Sequence, residues 1–241
     1  MTEAAQALQP MPTDWDRALA VVAHPDDLEF SAAGPVASWT GAGKSVSYLL
    51  VSKGEAGIDG TPPAEAAKLR EAEQRASAAI VGVADVEFLD HQDGIIEYGL
   101  VLRRDIAAAL RRHRPDLVIG FNHYDVLPSG KPNSPDHRHT GRALLDAIGD
   151  AANRWVFPEL DLPPWGGVRY VALGHPLAPT HAVDITGVID LAVASLEAHR
   201  AYLSGLTPPV TSVREPLVAF ARLTGERFGG RLAMPFELSA R

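Results

Sequence analysis

The chain contains no cysteine. Disulfides are therefore excluded, and so are thiolate nucleophiles and cysteine-ligated zinc or iron–sulfur sites. Any metal must be held by His, Asp or Glu, and nine histidines keep that route open. Basic residues are the scarcer sign: 22 Lys and Arg stand against 30 Asp and Glu, a formal charge of −8. A nucleic-acid partner needs a basic stripe and is not expected. No apolar run approaches the roughly 20 residues of a membrane span, so no membrane partner is expected either. Met1–Thr13 has neither the basic start nor the apolar stretch of a secretory signal. The expected location is therefore cytoplasmic. Three signatures common on α/β scaffolds are also missing. There is no G-x-G-x-x-G for a dinucleotide, no G-x-x-x-x-G-K-[ST] phosphate loop and no G-x-S-x-G nucleophile elbow. Gly41-Ala42-Gly43-Lys44 is too short to serve as the second. Nucleotide-dependent chemistry is thereby disfavoured.

What is present is ordinary globular composition: 241 residues, 46% hydrophobic, with 21 Gly and 19 Pro and no visible repeat. Residues 1–15 read as a flexible tail and 16–241 as one domain. Ala18–Ala23, Ser45–Ser52, Asp85–Leu89 and Asp116–Phe121 are short apolar runs, as expected of buried strands. Between them lie helix candidates at Ser31–Gly41, at Ala64–Val81 and around Leu102–Leu110, and a fourth follows at Asp136–Ala151. In the second, Leu69, Ala72, Ala76 and Ile80 form one apolar stripe. The third ends on Arg112 and His113, cations that suit a helix C-terminus. Strands are also expected at Val168–Leu173 and His181–Asp184, then a helix carrying Ile189 to Leu203. The alternation predicts an α/β fold: a Rossmann-like, mainly parallel sheet with helices on both faces and a decorated C-terminal third.

In open α/β sheets, sites form at the C-terminal ends of strands. Four strand ends carry ionisable residues. They are His24-Pro25-Asp26-Asp27-Leu28-Glu29, Lys53-Gly54-Glu55, Asp90-His91-Gln92-Asp93, and Asn122-His123-Tyr124-Asp125 running on to Asp136 and His137. Burying the first cluster without partners would cost several kcal/mol, about the price of an uncompensated polar group or more. A neutral imidazole and a carboxylate three residues apart can converge on one divalent ion. A third ligand must come from another strand end, and His137 or His123 could supply it. Loops 54–63, 122–135 and 156–167 are expected to wall the pocket.

Ala23-His24-Pro25-Asp26-Asp27-Leu28-Glu29 resembles the AHPDDxE signature of the PIG-L/LmbE family of metal-dependent N-deacetylases. Lys53-Gly54-Glu55 resembles its T-x-G-E segment, Arg70 and Glu73 its R-x-x-E, and Pro135-Asp136-His137 the end of its HPDH motif. Asp93 sits where the family has an aspartate, and Val183-Asp184-Ile185 followed by His199 resembles its C-terminal pattern. The matches run in the family's order over residues 18 to 205. The resemblance implies zinc held by His24, Asp27 and His137, and since a His₂Asp set accepts either ion, Fe²⁺ is the alternative. It implies Asp26 as general base, and hydrolysis of an N-acyl amino sugar or a glycoside of one. The partner is then a small-molecule amide, and the resemblance also implies a homo-oligomer.

One position departs from the pattern. Ser134 stands where relatives carry the first His of HPDH, a residue thought to stabilise the oxyanion. His123, after the same strand, is the leading substitute; the plain alternative is an exposed loop histidine. Asp136 is read as an orienting carboxylate, a helix cap or both. Arg70 is read either as a solvated cation or, from its match, as a substrate-binding group. Glu29 is expected to support the turn, paired with Arg70, and Asp93 to touch substrate or a ligand. His91, His113 and His175 are left as structural. The competing reading is a sugar- or metabolite-binding protein without turnover, suggested by the missing histidine and opposed by the retained Asp26.

Overall fold

The structure is a computed structural model and describes residues 6–241. Its strands are β1 (Gln9–Pro10), β2 (Arg17–Val22), β3 (Ser45–Leu50), β4 (Asp85–Phe88), β5 (Leu117–Phe121), β6 (Tyr170–Gly174), β7 (His181–Asp184) and β8 (Ala233–Ala240). Its helices are α1 (Asp27–Ser31), α2 (Ala33–Gly41), α3 (Pro63–Ile80), α4 (Leu100–His113), α5 (Pro135–Ala152), α6 (Ile189–Glu197), α7 (Arg200–Gly205) and α8 (Arg214–Gly225). The eight strands form one sheet in the order β1-β7-β8-β6-β5-β2-β3-β4. From β4 to β6 every neighbour is parallel. β8 runs antiparallel to both β6 and β7 and joins the parallel block to the β7 edge.

Alternation on β2 explains its continuous apolar run. Ala18, Ala20 and Val22 enter one core, whereas Leu19, Val21 and Ala23 enter the other. The first core lies under α1, α2, α6 and α8, and the second under α4 and α5. From β2 the chain winds outward through β3 to β4, then returns to β5 on the other side of β2. The strand order therefore reverses between β2 and β5, which is where a crevice opens in a doubly wound sheet.

Three expectations change. Residues 1–5 of the anticipated tail lie outside the described residues. The rest is packed: β1 pairs with β7, and Leu8, Met11 and Trp15 are buried. Trp15 meets Trp39 edge-on at 5.3 Å, and that apolar contact orders a segment with no strand-like pattern of its own. In α3 the anticipated apolar stripe faces outward. Leu69 is 40% exposed, and the buried residues are Ala66, Arg70, Gln74, Ser77 and Ala78. That polar face is buried because it satisfies buried partners, described below. Finally, the helix expected through Leu203 breaks at His199, and α8 and β8 follow without having been foreseen.

Candidate active site

The first strand end delivers its side chains through a tight turn. After β2 the backbone of Asp26 takes φ 94°, the left-handed region that non-glycine residues rarely adopt. Asp27 then opens α1, and its Oδ2 accepts from the backbone N–H groups of Ala23 at 3.1 Å and His24 at 2.9 Å. The carboxylate is thereby clamped onto its own turn. Its Oδ1 stands 3.0 Å from Nε2 of His137, delivered by the first turn of α5 from across the crevice.

Each imidazole has its outer nitrogen engaged by an acceptor. His137 Nδ1 lies 2.9 Å from Asn133 Oδ1. His24 Nε2 lies 3.0 Å from Asp93 and 3.1 Å from Asp136. An outer nitrogen that donates leaves the inner one bare. The inner pair, His24 Nδ1 and His137 Nε2, face each other at 3.3 Å. With Asp27 they offer three donor atoms within 4.8 Å of one another. Two bare imidazole nitrogens and a carboxylate converging on one point suit a divalent cation. A second trio, His24, Asp93 and Asp136, is equally compact. Three of its four carboxylate oxygens, however, already accept from the N–H groups of Ala56, Gly94 and Ile96. Those bonds suit it to orienting His24 rather than to coordination.

The electrostatics agree with a site built for positive charge. Burial disfavours the charged form of His24, but hydrogen bonds to Asp136 and Asp93, with the charge of Asp27, raise its pKa to about 10. Burial likewise opposes the charge of His137, and Asp27 raises it. Burial would push Asp27 up, yet the two imidazoles hold it well below the carboxylate range. Asp26 goes the other way. Burial raises its pKa and the charge of Asp27 adds to that, while Arg70 opposes.

The buried face of α3 serves these groups. Arg70 is 2% exposed, lies 3.5 Å from Asp26 and donates to the carbonyls of Gly54 and Pro25. Its guanidinium fills the space beside Gly54, where a Cβ would sit 2.5 Å from Nη1. That contact, with φ +67°, requires glycine in the Lys53-Gly54-Glu55 segment. Gln74 accepts from the backbone N–H of Asp26 at 3.2 Å and donates to Glu29 at 2.8 Å. Glu29 does not pair with Arg70 as expected. It accepts from Gln74 and Ser77 and makes a long ion pair, 3.5 Å, with fully buried His199. The reason is position: α1 turns Glu29 inward, toward α3 and the break before α7. Glu73 accepts from the first N–H groups of α7, which carries Tyr202 to stack under Arg70 at 4.0 Å. Sequence reasoning missed Gln74, Asn133 and Tyr202; the first two adjoin the segments around Glu73 and Ser134, whereas nothing in the neighbourhood of Tyr202 marks it.

The cavity over these groups holds about 450 Å³, with His24, Asp26, Asp27, Arg70, Asp93 and His137 on its polar side. Ser134 and Asp136 also line it. Ser134 is the helix cap, accepting from the N–H of Asp136 at 3.1 Å. His123 is not among the lining residues. The Asn122 side chain accepts from Tyr124 N–H at 2.8 Å, and this turn stacks His123 on Tyr124 and lays it over Gly141 of α5. His175, set aside from sequence, lines the cavity instead. It follows β6 directly at φ 49°, and its ring packs on Phe121, which also contacts His137. Burial lowers its pKa, so the ring is neutral at neutral pH. Its place at a strand end was the signal that could have found it. Loop 156–167 also lies elsewhere. It leads into the start of β6, so topology puts it at the N-terminal ends of the strands, with Trp165 donating to Pro115.

Residues 19–148, more than half of the chain, match the PIG-L family, described as GlcNAc-PI de-N-acetylase. A diacetylchitobiose deacetylase of Thermococcus kodakarensis is 27% identical over 225 residues, covering 89% of this chain and 81% of that protein. A probable N-acetyl-alpha-D-glucosaminyl L-malate deacetylase of Bacillus anthracis is 28% identical over 205 residues, covering 81% and 84%. The solved structure of an N,N'-diacetylchitobiose deacetylase from Pyrococcus horikoshii, complexed with its inhibitor, superposes with a TM-score of 0.85 at 25% identity. It covers 94% of this chain and 85% of that one.

Proposed function

Because the chain belongs to the PIG-L family of de-N-acetylases, we propose that it removes the N-acyl group of an amino sugar, or of a glycoside carrying one, by metal-assisted hydrolysis. The chain is an amide-hydrolysing enzyme, as its deacetylase relatives are. The observation that carries the finer reading is the convergence of His24 Nδ1, Asp27 and His137 Nε2 with Asp26 buried beside them. These three would hold the cation, zinc or Fe²⁺, since a His₂Asp set accepts either. A cation there would make water more acidic and polarise the amide carbonyl.

The chain's own groups do the rest. Asp26 takes the proton of the attacking water on its carboxylate, and its raised pKa matches a base that must later return that proton to the leaving amine. Arg70 holds Asp26 in place and keeps enough of it ionised to accept a proton. Asp93 and Asp136 keep His24 in one tautomer and orientation. His175 takes the part that relatives give to the first His of HPDH: a neutral ring with one N–H to donate toward the developing oxyanion. The sugar hydroxyls face Arg70, Asp93 and Ser134.

The test is metal content and amine release measured together, on wild type and Asp26→Ala, with a panel of N-acetyl sugars. Metal in both proteins with turnover only in wild type supports the reading. Metal in neither protein would sink the His24–Asp27–His137 site. Metal in both without amine release from any acyl sugar would favour the competing binding-protein reading.

A further inference from the structure

A second cavity, about 320 Å³, adjoins the catalytic one. The two share Phe30 and His175 as walls. Their chemistry differs sharply. The catalytic cavity presents carboxylates, imidazoles and a guanidinium. The second is walled by Leu196, Val213, Leu217 and Phe220, with Ser212 at its edge. His175 is the boundary between them, and it is the ring proposed to donate toward the oxyanion. The segment from α7 to α8 closes both cavities, giving Leu206 to the first and Val210, Ser212 and Val213 to the second.

The volume decides what could enter. At about 30 Å³ per water-sized group, 320 Å³ accommodates roughly ten such groups. An acetyl methyl would leave most of it empty, and an apolar space of this size contributes affinity only when an apolar group fills it. A sugar ring would bring hydroxyls that these walls cannot satisfy. Polar groups therefore stay on the Arg70 and Asp93 side, and the side of the amide beyond His175 is the acyl side.

We propose that the cavity lined by Leu196, Val213, Leu217 and Phe220 is an acyl-chain subsite, and that the substrate is an N-acyl amino sugar whose acyl group is longer than acetyl. The inference rests on the hydrolase reading above. The reaction is balanced by water alone. Its oxygen bonds to the acyl carbon, the C–N bond breaks, and the products are the chain's carboxylate and the sugar's ammonium. The chain of the carboxylate leaves from the apolar cavity and the amine from the polar one.

The experiment compares N-acetyl-, N-butanoyl- and N-octanoylglucosamine, with octyl N-acetylglucosaminide as the tail-on-sugar control. Amine release is read on metal-loaded wild type, and binding by calorimetry on Asp26→Ala, which removes the base but none of the apolar walls. Each buried methylene strengthens binding about four-fold at most. The octanoyl compound should therefore bind roughly ten-fold or more tighter than the acetyl one, with KM falling in step. Val210→Asp places a charge at the rim, at a residue already 38% exposed, and should erase that preference while the thermal melt stays in place. Equal binding of all three acyl compounds overturns the subsite, even if all are hydrolysed. A gain only for the octyl glycoside overturns the acyl assignment. A preference that survives Val210→Asp overturns it as well, and a dimer dissociated by that variant would identify a second copy as the true cover. Tighter octanoyl binding without any amine release leaves the subsite standing and removes the hydrolase reading.

Discussion

Asp26 and Asp27 are neighbours of the same type whose surroundings push their carboxylates in opposite directions. Asp27 is held ionised by two imidazoles and two backbone N–H groups. Asp26 is raised by burial, with Arg70 opposing. A base works only when ionised, so activity should fall as pH drops through a value above the ordinary carboxylate pKa of about 3.9. Arg70→Gln removes the opposing charge and should move that acid limb to higher pH in a kcat/KM profile. A limb that stays put would separate Arg70 from Asp26. Asp26→Asn should lower kcat by about 10² to 10⁴ and keep the metal. The two candidate oxyanion histidines divide in the same assay. His175→Ala should cost about 10² or more in kcat, whereas His123→Ala, outside the cavity, should leave kcat within about two-fold, since groups that do not touch the reacting atoms add no transition-state stabilisation.

At the scale of elements, α3 is an amphipathic helix whose buried face is polar. Arg70, Gln74 and Ser77 meet the β2–α1 turn, and Glu73 caps α7. Gly54 is where the loop after β3 presses against this helix. Gly54→Ala should displace Arg70, lowering stability by about 1 to 3 kcal/mol and reducing kcat with it. Gly60→Ala, also at positive φ but with open space around it, should lower stability alone. The Glu29–His199 pair locks α1 to the break before α7. Burial opposes both charges, yet the pairing lowers Glu29 from 4.5 and raises His199 from 6.5. The contribution of Glu29 is complete above 4.5 and fades as pH falls through its depressed value. That of His199 is complete below 6.5 and fades as pH rises through its raised value. Glu29→Gln should therefore cost most, about 3 kcal/mol, between 4.5 and 6.5 and less in alkali. An equal loss of melting temperature at all pH values would argue against an ionised pair.

Across the whole molecule, a cation held at the proposed site would tie the two halves of the sheet together, because His24 and Asp27 follow β2 and His137 follows β5. A ligand at about a hundred times its Kd adds roughly 2.7 kcal/mol to stability. A chelator should thus lower the melting temperature of wild type and leave that of His137→Ala unchanged. The N-terminal segment performs a similar tie at the far edge. Trp15 packs on Trp39, which meets Phe236 of β8 at 6.0 Å. Trp15→Ala should cost about 3 to 5 kcal/mol, measured by denaturant unfolding.

The amino-acid sequence alone determined the α/β class, the strand ends that carry chemistry, and the family, through His24-Pro25-Asp26-Asp27 and its followers. These are local patterns: a buried strand is written in consecutive residues, and a turn motif in six. No helix among the described residues is long and apolar enough to cross a membrane. What the sequence did not contain were pairings across the fold. His24 and His137 are 113 positions apart, and Glu29 and Ser77 are 48 apart. Such distances hide which face of α3 is buried, since the stripe of Leu69, Ala72, Ala76 and Ile80 looks like a core face until Arg70, Gln74 and Ser77 find partners. They also hide which histidine the cavity receives. His123 and His175 each follow a buried strand, and only the turn at Asn122 and the φ of 49° at His175 decide between them.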